Sequence, residues 1–336
     1  MTDRDFSGRF PTTRLRRTRQ AQWIRQLVAE SHINPQDLVQ AVILREDDAP
    51  SGPITAMDGI LRSSVDEAVE MAKRAAAVGV PALALFPYTS VEDRDATGSG
   101  ALSSDNLMAR AARAIKKAVP EIGLIGDVAL DPYTDHGHDG LLRDGVILND
   151  ETVALLCQQA VVLAEAGFDV VAPSDMMDGR IGAIRMALDK AGYQDRLILS
   201  YAVKYASRFY GPYRDAIGSR GVLQGDKRTY QMDPRNSAEG LREAAMDVQE
   251  GADMLMVKPG LPYLDLVRRV KDAFAVPVAA FQVSGEYAML RCAAEAGAFD
   301  FEAAALEALH CFRRAGADMI ISYYAIDAAG WIARDL

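Results

Sequence analysis

Long apolar runs are missing from this chain. Nothing approaches the roughly 18–20 uninterrupted apolar residues of a membrane span, and Met1 to Phe10 carries no apolar signal core. Cysteine is scarce: Cys157, Cys292 and Cys311 are scattered without CxxC spacing, so neither a disulfide framework nor a thiolate zinc site follows from them. Positive charge is short as well. Lys plus Arg total 37 against 47 for Asp plus Glu, a net charge of −10, which argues against general affinity for nucleic acid or an anionic membrane surface. No GxGxxG follows the first apolar run, which argues against a dinucleotide fold. What is present is ordinary for a globular protein. Hydrophobic residues make up 49% and charged residues 25% of 336 positions, enough for two average domains or one large barrel. The expectation is a soluble cytoplasmic protein.

The chain has two parts. Arg14, Arg16, Arg17, Arg19 and Arg25 crowd residues 1–36, where apolar periodicity is weak. Phe6, Phe10, Leu15 and Trp23 sit there too, poor choices for free solvent in a segment too poor in apolar residues to fold alone. The reading is an arm over 1–36 that embraces another copy, followed by a catalytic domain over 37–336. In the second part, apolar runs alternate with amphipathic stretches. The runs are Val39–Leu44, Pro81–Tyr88, Gly123–Leu130, Asp169–Ser174, Leu197–Tyr205, Asp253–Pro259, Pro277–Ser284 and Asp318–Ala325. Between most of them lie helical patterns such as Ser104–Ala118, Glu151–Ala166, Ser237–Glu250 and Phe301–Ala315. Short strands apolar throughout are what a parallel sheet buried on both faces requires. Ala166-Gly-Phe-Asp169, Glu250-Gly-Ala-Asp253 and Ala315-Gly-Ala-Asp318 read as copies of one joint, with glycine ending a helix and a strand following. Eight such strands fit a (β/α)8 TIM barrel.

In that fold the active site lies at the C-terminal ends of the strands. There are only eight lysines among the 37 cations, and five of them fall in helical patterns. Lys204 and Lys258 instead end buried-strand runs. A desolvated lysine near another cation loses its proton readily and becomes a nucleophile, and two of them point to carbonyl chemistry through Schiff bases. A second group is Asp127, Ala129 and Asp131 on one face of a strand end, followed by Asp135, His136, His138 and Asp139. Such carboxylates hold a substrate amine, bind a hard cation or cap a loop; the two histidines alone are a weak metal signal. The third is Tyr205–Gln231, too long for an ordinary connection and rich in aromatic and cationic residues; it reads as a lid whose cations suit a carboxylate.

Six stretches then carry a resemblance: Ala172–Arg180, Tyr201–Ser207, Phe209–Ala216, Met254–Asp265, Val283–Leu290 and Gly316–Tyr324. Over nearly its whole length the chain resembles the porphobilinogen synthase (5-aminolaevulinate dehydratase) family. The resemblance implies a TIM barrel with an arm wrapping a neighbour in a homo-oligomer, a hexamer or octamer. It implies condensation of two 5-aminolaevulinate molecules to porphobilinogen with loss of two waters, an early step toward haem and chlorophyll. Lys258 then holds the molecule that supplies the propionate side, and Lys204 the one that supplies the acetate side. Arg214, Lys227 and Gln231 match positions that hold one substrate carboxylate; Ser284 and Tyr323 match those that hold the other. Asp127 and Ser174 match positions beside a substrate amino group.

One departure matters. Where zinc-dependent members carry three cysteines, this chain has Ala129, Asp131 and Asp139, which excludes a thiolate zinc site. Only oxygen donors remain, of which Asp131 and Asp139 are the weak candidates for Mg²⁺ or K⁺. The position at which Mg²⁺-responsive relatives carry a glutamate aligns with Val248. The expectation is catalysis with no obligatory metal. The alternatives are a single-lysine aldolase-like lyase on the same barrel and a catalytically dead barrel; the second lysine disfavours both.

Overall fold

The computed structural model describes residues 8–49, 51–55, 57–218 and 221–335. The chain divides into two compact units at His32/Ile33. In the first, a 3-10 turn over Leu15–Arg19 and a helix over Gln22–Leu27 bury none of their residues. Phe10 is 77% exposed and Trp23 66%. Phe6 lies outside the described residues.

The second unit is a barrel. Its strands in chain order are β1 (Leu38–Leu44), β2 (Ala82–Pro87), β3 (Gly123–Val128), an antiparallel pair β4 (Leu141–Arg143) and β5 (Val146–Leu148), then β6 (Val170–Pro173), β7 (Leu197–Lys204), β8 (Met254–Lys258), β9 (Val278–Phe281) and β10 (Met319–Ser322). Eight of them close a ring in the order β1-β10-β9-β8-β7-β6-β3-β2, every neighbour parallel. Each of the eight apolar runs is therefore a barrel strand. The last two runs extend too far at their C-terminal ends because Ser284–Glu295 and Ala325–Asp335 are helices whose first residues are buried like the strands before them. The helices over Ser237–Glu250 and Phe301–Ala315 have the expected bounds.

The β4–β5 hairpin was not expected. Asp144 and Gly145 between its strands have φ of 52° and 77°, the two positive angles of a type I′ turn, for which Asp-Gly is a preferred pair. The three repeated joints share more than a glycine. Gly167, Gly251 and Gly316 end their helices at φ of 108°, 107° and 107°, a region that a Cβ disfavours. The aspartate two residues on then makes the same pair of bonds each time. Asp169 accepts from Leu124 N at 2.8 Å, Asp253 from Ile198 N at 2.7 Å and Asp318 from Val278 N at 2.7 Å. Each also donates its own N–H to the carbonyl of that same residue. These staples tie adjacent strands at the N-terminal end of the barrel, the end that serves stability rather than chemistry.

Candidate active site

β7 and β8 are neighbours, and their last ladder pair is Lys204 opposite Lys258. Residues opposite each other on parallel strands face the same side of the sheet. Between Ser200 and Val203 the register slips, three steps on β7 matching two on β8, a bulge with one extra residue. The bulge lets Tyr201 and Lys204 both face the lumen although three positions separate them. The Tyr201 ring centre lies 4.8 Å from Lys258 Nζ. Phe281, Tyr213, Tyr210 and Phe86 complete a box of rings at 4.4–5.9 Å around the same nitrogen. Burial, and then the charge of Lys204, push the Lys258 amine down to about 7 against the pull of three aspartates.

Lys204 is paired instead. Its ammonium donates to Asp139 Oδ1 at 3.2 Å and to the Ser174 carbonyl. Lys227 reaches down from the 205–231 segment to Asp139 Oδ2 at 2.6 Å and Asp131 Oδ2 at 3.0 Å. Against the cost of burial, the two lysines hold the Asp139 carboxyl well below the ordinary carboxylate range, and the two aspartates raise Lys227. Tyr230 donates to Asp139 Oδ2 at 2.8 Å and lies 3.0 Å from His138 Nδ1. His138 Nε2 faces the Gln224 carbonyl at 2.7 Å; a carbonyl only accepts, so that nitrogen carries a proton. The 205–231 segment is thus fastened to the barrel mouth by polar bonds. It is also less irregular than its composition implies: Arg208–Tyr210 is a 3-10 turn and Gly211–Ala216 a helix, with Pro212 in its first turn, where proline is tolerated.

Asp127 differs from the other two acids. Burial pushes its carboxyl up to about 6, opposed by Lys258 and assisted by Asp131. Its Oδ1 is buried and has no hydrogen-bond partner among the described residues. Asp127, Asp131, Asp139, Ser174, Lys204, Arg214, Lys227, Gln231 and Lys258 all line one cavity, together with Tyr210 and Tyr213. The space among them is small, about 30 Å³. Ser284 and Tyr323 do not line it. Ser284 Oγ accepts the Tyr213 N–H at 2.8 Å, and Tyr323 packs against Phe281, 6.2 Å between ring centres.

The family model for delta-aminolevulinic acid dehydratase matches residues 12–331. The chain belongs to that family. It is 57% identical over 316 residues to a dehydratase of Bradyrhizobium diazoefficiens, covering 94% of this chain and 90% of that one. It is 49% identical to a dehydratase of Rhodobacter capsulatus over 95% of this chain and 96% of that one. A crystal structure of the dehydratase from Toxoplasma gondii in complex with the reaction product porphobilinogen superposes with a TM-score of 0.94 at 48% identity, over 96% of this chain and 92% of that one. As members of this family, these residues join a hydro-lyase on a TIM barrel.

The donor chemistry at the mouth does not fit a divalent metal. Asp131 and Asp139 already hold Lys227 and Lys204, so a cation there competes with two ammonium groups. The three cysteines lie on helices: Cys157 in Asn149–Ala166, Cys292 in Ser284–Glu295 and Cys311 in Phe301–Ala315. Val248 packs half-buried against the core. On the same helix Glu243 is raised by burial and then by Asp247, against the pull of Arg180. Residue types alone did not single out Glu243, Tyr230 or the rings around Lys258.

Proposed function

We propose that this dehydratase condenses two 5-aminolaevulinate molecules to porphobilinogen with loss of two waters, through imines on Lys204 and Lys258. The observation that carries the reading is the ladder pair itself, which sets two lysine side chains facing one cavity among three carboxylates. Each amine adds to a substrate ketone, and water leaves as the imine forms; the protonated imine acidifies the adjacent carbon, so a C–C bond forms without a free carbanion. Lys258 is the readier nucleophile, because its amine titrates at about 7. Asp127, whose carboxyl burial pushes up to about 6, takes protons from a substrate amine or carbon.

Substrate needs more room than about 30 Å³, so the 205–231 segment withdraws for entry. A substrate carboxylate then competes with Asp131 and Asp139 for Lys227, with Arg214 and Gln231 beside it. Asp127 and Ser174 take an amino group, and Ser284 and Tyr323 take the second carboxylate once the Tyr213 N–H releases Ser284. No step runs through a metal; Mg²⁺ or K⁺ acts at most as an activator. The working protein is a cytoplasmic homo-oligomer, a hexamer or octamer, held partly by residues 1–36; no helix among the described residues is long and apolar enough to cross a membrane.

Incubation with 5-aminolaevulinate and an aldehyde colour reagent should give the pyrrole colour. Borohydride added during turnover should fix substrate mass on peptides bearing Lys204 and Lys258. Label confined to helix lysines such as Lys116 would overturn the site, and absence of pyrrole would overturn the reaction. A one-lysine aldolase would label a single strand tip.

A further inference from the structure

Val283-Ser284-Gly285-Glu286 contributes a serine to the reading above, but its glutamate has a geometry of its own. Glu286 is fully buried. Its Oε2 accepts from Val283 N at 2.8 Å and from Gly260 N at 3.1 Å, and its Oε1 from Leu261 N at 2.6 Å. The bond to Val283 is a helix cap, the glutamate half of a capping box on Ser284–Glu295. The other two are not needed for a cap. They cross to the neighbouring loop, where Gly260 and Leu261 stand two and three residues beyond Lys258.

One carboxylate therefore joins the loop just after Lys258, the last residue of β8, to the loop after β9 that leads into Ser284, the first residue of its helix. The second loop is in turn tied to the 205–231 segment, since Ser284 accepts from Tyr213 N and its hydroxyl donates to the Phe209 carbonyl at 3.4 Å. Gly285 permits that approach, because a Cβ there would overlap the Phe209 backbone. Burying a carboxyl without a cation is costly, and three N–H donors offset only part of the cost; burial still pushes Glu286 up to about 7. A cap alone would be met by an exposed glutamate without that penalty.

We propose that Glu286 is a positioning residue for Lys258: it fixes the Lys258–Leu261 corner against the Ser284 loop and so holds the Lys258 amine inside its box of rings. It touches no reacting atom. Lys204, tied to Asp139 and Ser174, does not depend on it. This rests on the reading that Lys258 forms an imine.

The test compares borohydride trapping of 5-aminolaevulinate at the two lysines, peptide by peptide, in the unchanged protein, Glu286→Gln and Glu286→Asp, with thermal melting alongside. Glutamine keeps the length but turns one acceptor into a donor facing backbone N–H groups; aspartate keeps the charge and is one methylene short of the second loop. In both, trapping at Lys258 should slow about tenfold or more relative to trapping at Lys204, which should stay within about twofold. Should Glu286→Gln fail to fold, Glu286→Asp carries the same expectation. Equal slowing at both lysines, or none, overturns the positioning role while leaving the imine reading intact. A Lys258 that stays unlabelled in the unchanged protein overturns both.

Discussion

Lys258 and Lys204 have the same side chain and opposite surroundings, one among rings and the other among oxygens. The amine of Lys258 is depressed first by burial and second by its neighbour's charge. Removing that charge favours the ammonium, so Lys204→Met should move the pH at which Lys258 reacts with a carbonyl reagent to higher values, while abolishing pyrrole formation. Labelling of Lys258 against pH measures it; an unmoved midpoint would mean that burial alone sets the value. The two lysines were legible because lysine is rare here and both end apolar runs. The box around Lys258 was not, since Phe86, Tyr201, Tyr210, Tyr213 and Phe281 come from three strands and the segment after β7, and no local spacing connects them. Nor was the pairing of Lys227 with Asp131 and Asp139: a cation in a loop looks the same whether it awaits a substrate anion or already holds a protein one.

Among the elements, the segment after β7 is expected to set affinity and the joints at the N-terminal end of the barrel to set stability. Arg214 is half-buried at the cavity. A charge-assisted contact to a carboxylate is worth about 1.5–3 kcal/mol, so Arg214→Ala should raise half-saturation for 5-aminolaevulinate by roughly tenfold or more. Unchanged substrate dependence would show that Arg214 does not meet the carboxylate. Asp253→Ala should act the other way round, lowering the melting temperature through loss of the bond from Ile198 N while leaving half-saturation alone; a changed KM would mean that the staple reaches the mouth. The joints and their aspartates were visible in the sequence as a repeat, but the bonds those aspartates make were not, because each partner N–H lies on the preceding barrel strand, 45, 55 or 40 residues away. The β4–β5 hairpin was missed: Asp144-Gly145 is a turn signal, but the flanking Leu141–Arg143 and Val146–Leu148 are only three residues each and one of them ends in arginine, so the longer runs on either side overshadowed them. The start of the 205–231 segment misled because Gly211-Pro212 punctuates loops as readily as it opens helices.

For the whole molecule, the exposed Phe10, Leu15, Trp23 and Leu27 of the first unit call for a cover. Deleting residues 1–30 should lower the assembly mass in light scattering; an unchanged mass would remove the arm from the assembly. Exhaustive chelation in metal-free buffer should leave turnover in place and added zinc should not raise it, whereas loss restored by Mg²⁺ alone would show that the aspartates take metal in preference to lysine. A closed ring also has arithmetic that no substitution reaches. β7 has neighbours on both sides, so its extra residue has no free edge at which to slide out, and the count between Tyr201 and Lys204 is odd. Spelled without the bulge, the same letters would turn Val203 into the lumen and Lys204 out among the helices. Removing Ala202 makes the count even: Ser200, Tyr201, Val203 and Lys204 then fall opposite Leu255, Met256, Val257 and Lys258 in unbroken sequence. Within this strand, subtracting a residue preserves the direction of the lysine, and it is the full-length spelling that depends on an irregular ladder to keep that lysine inside.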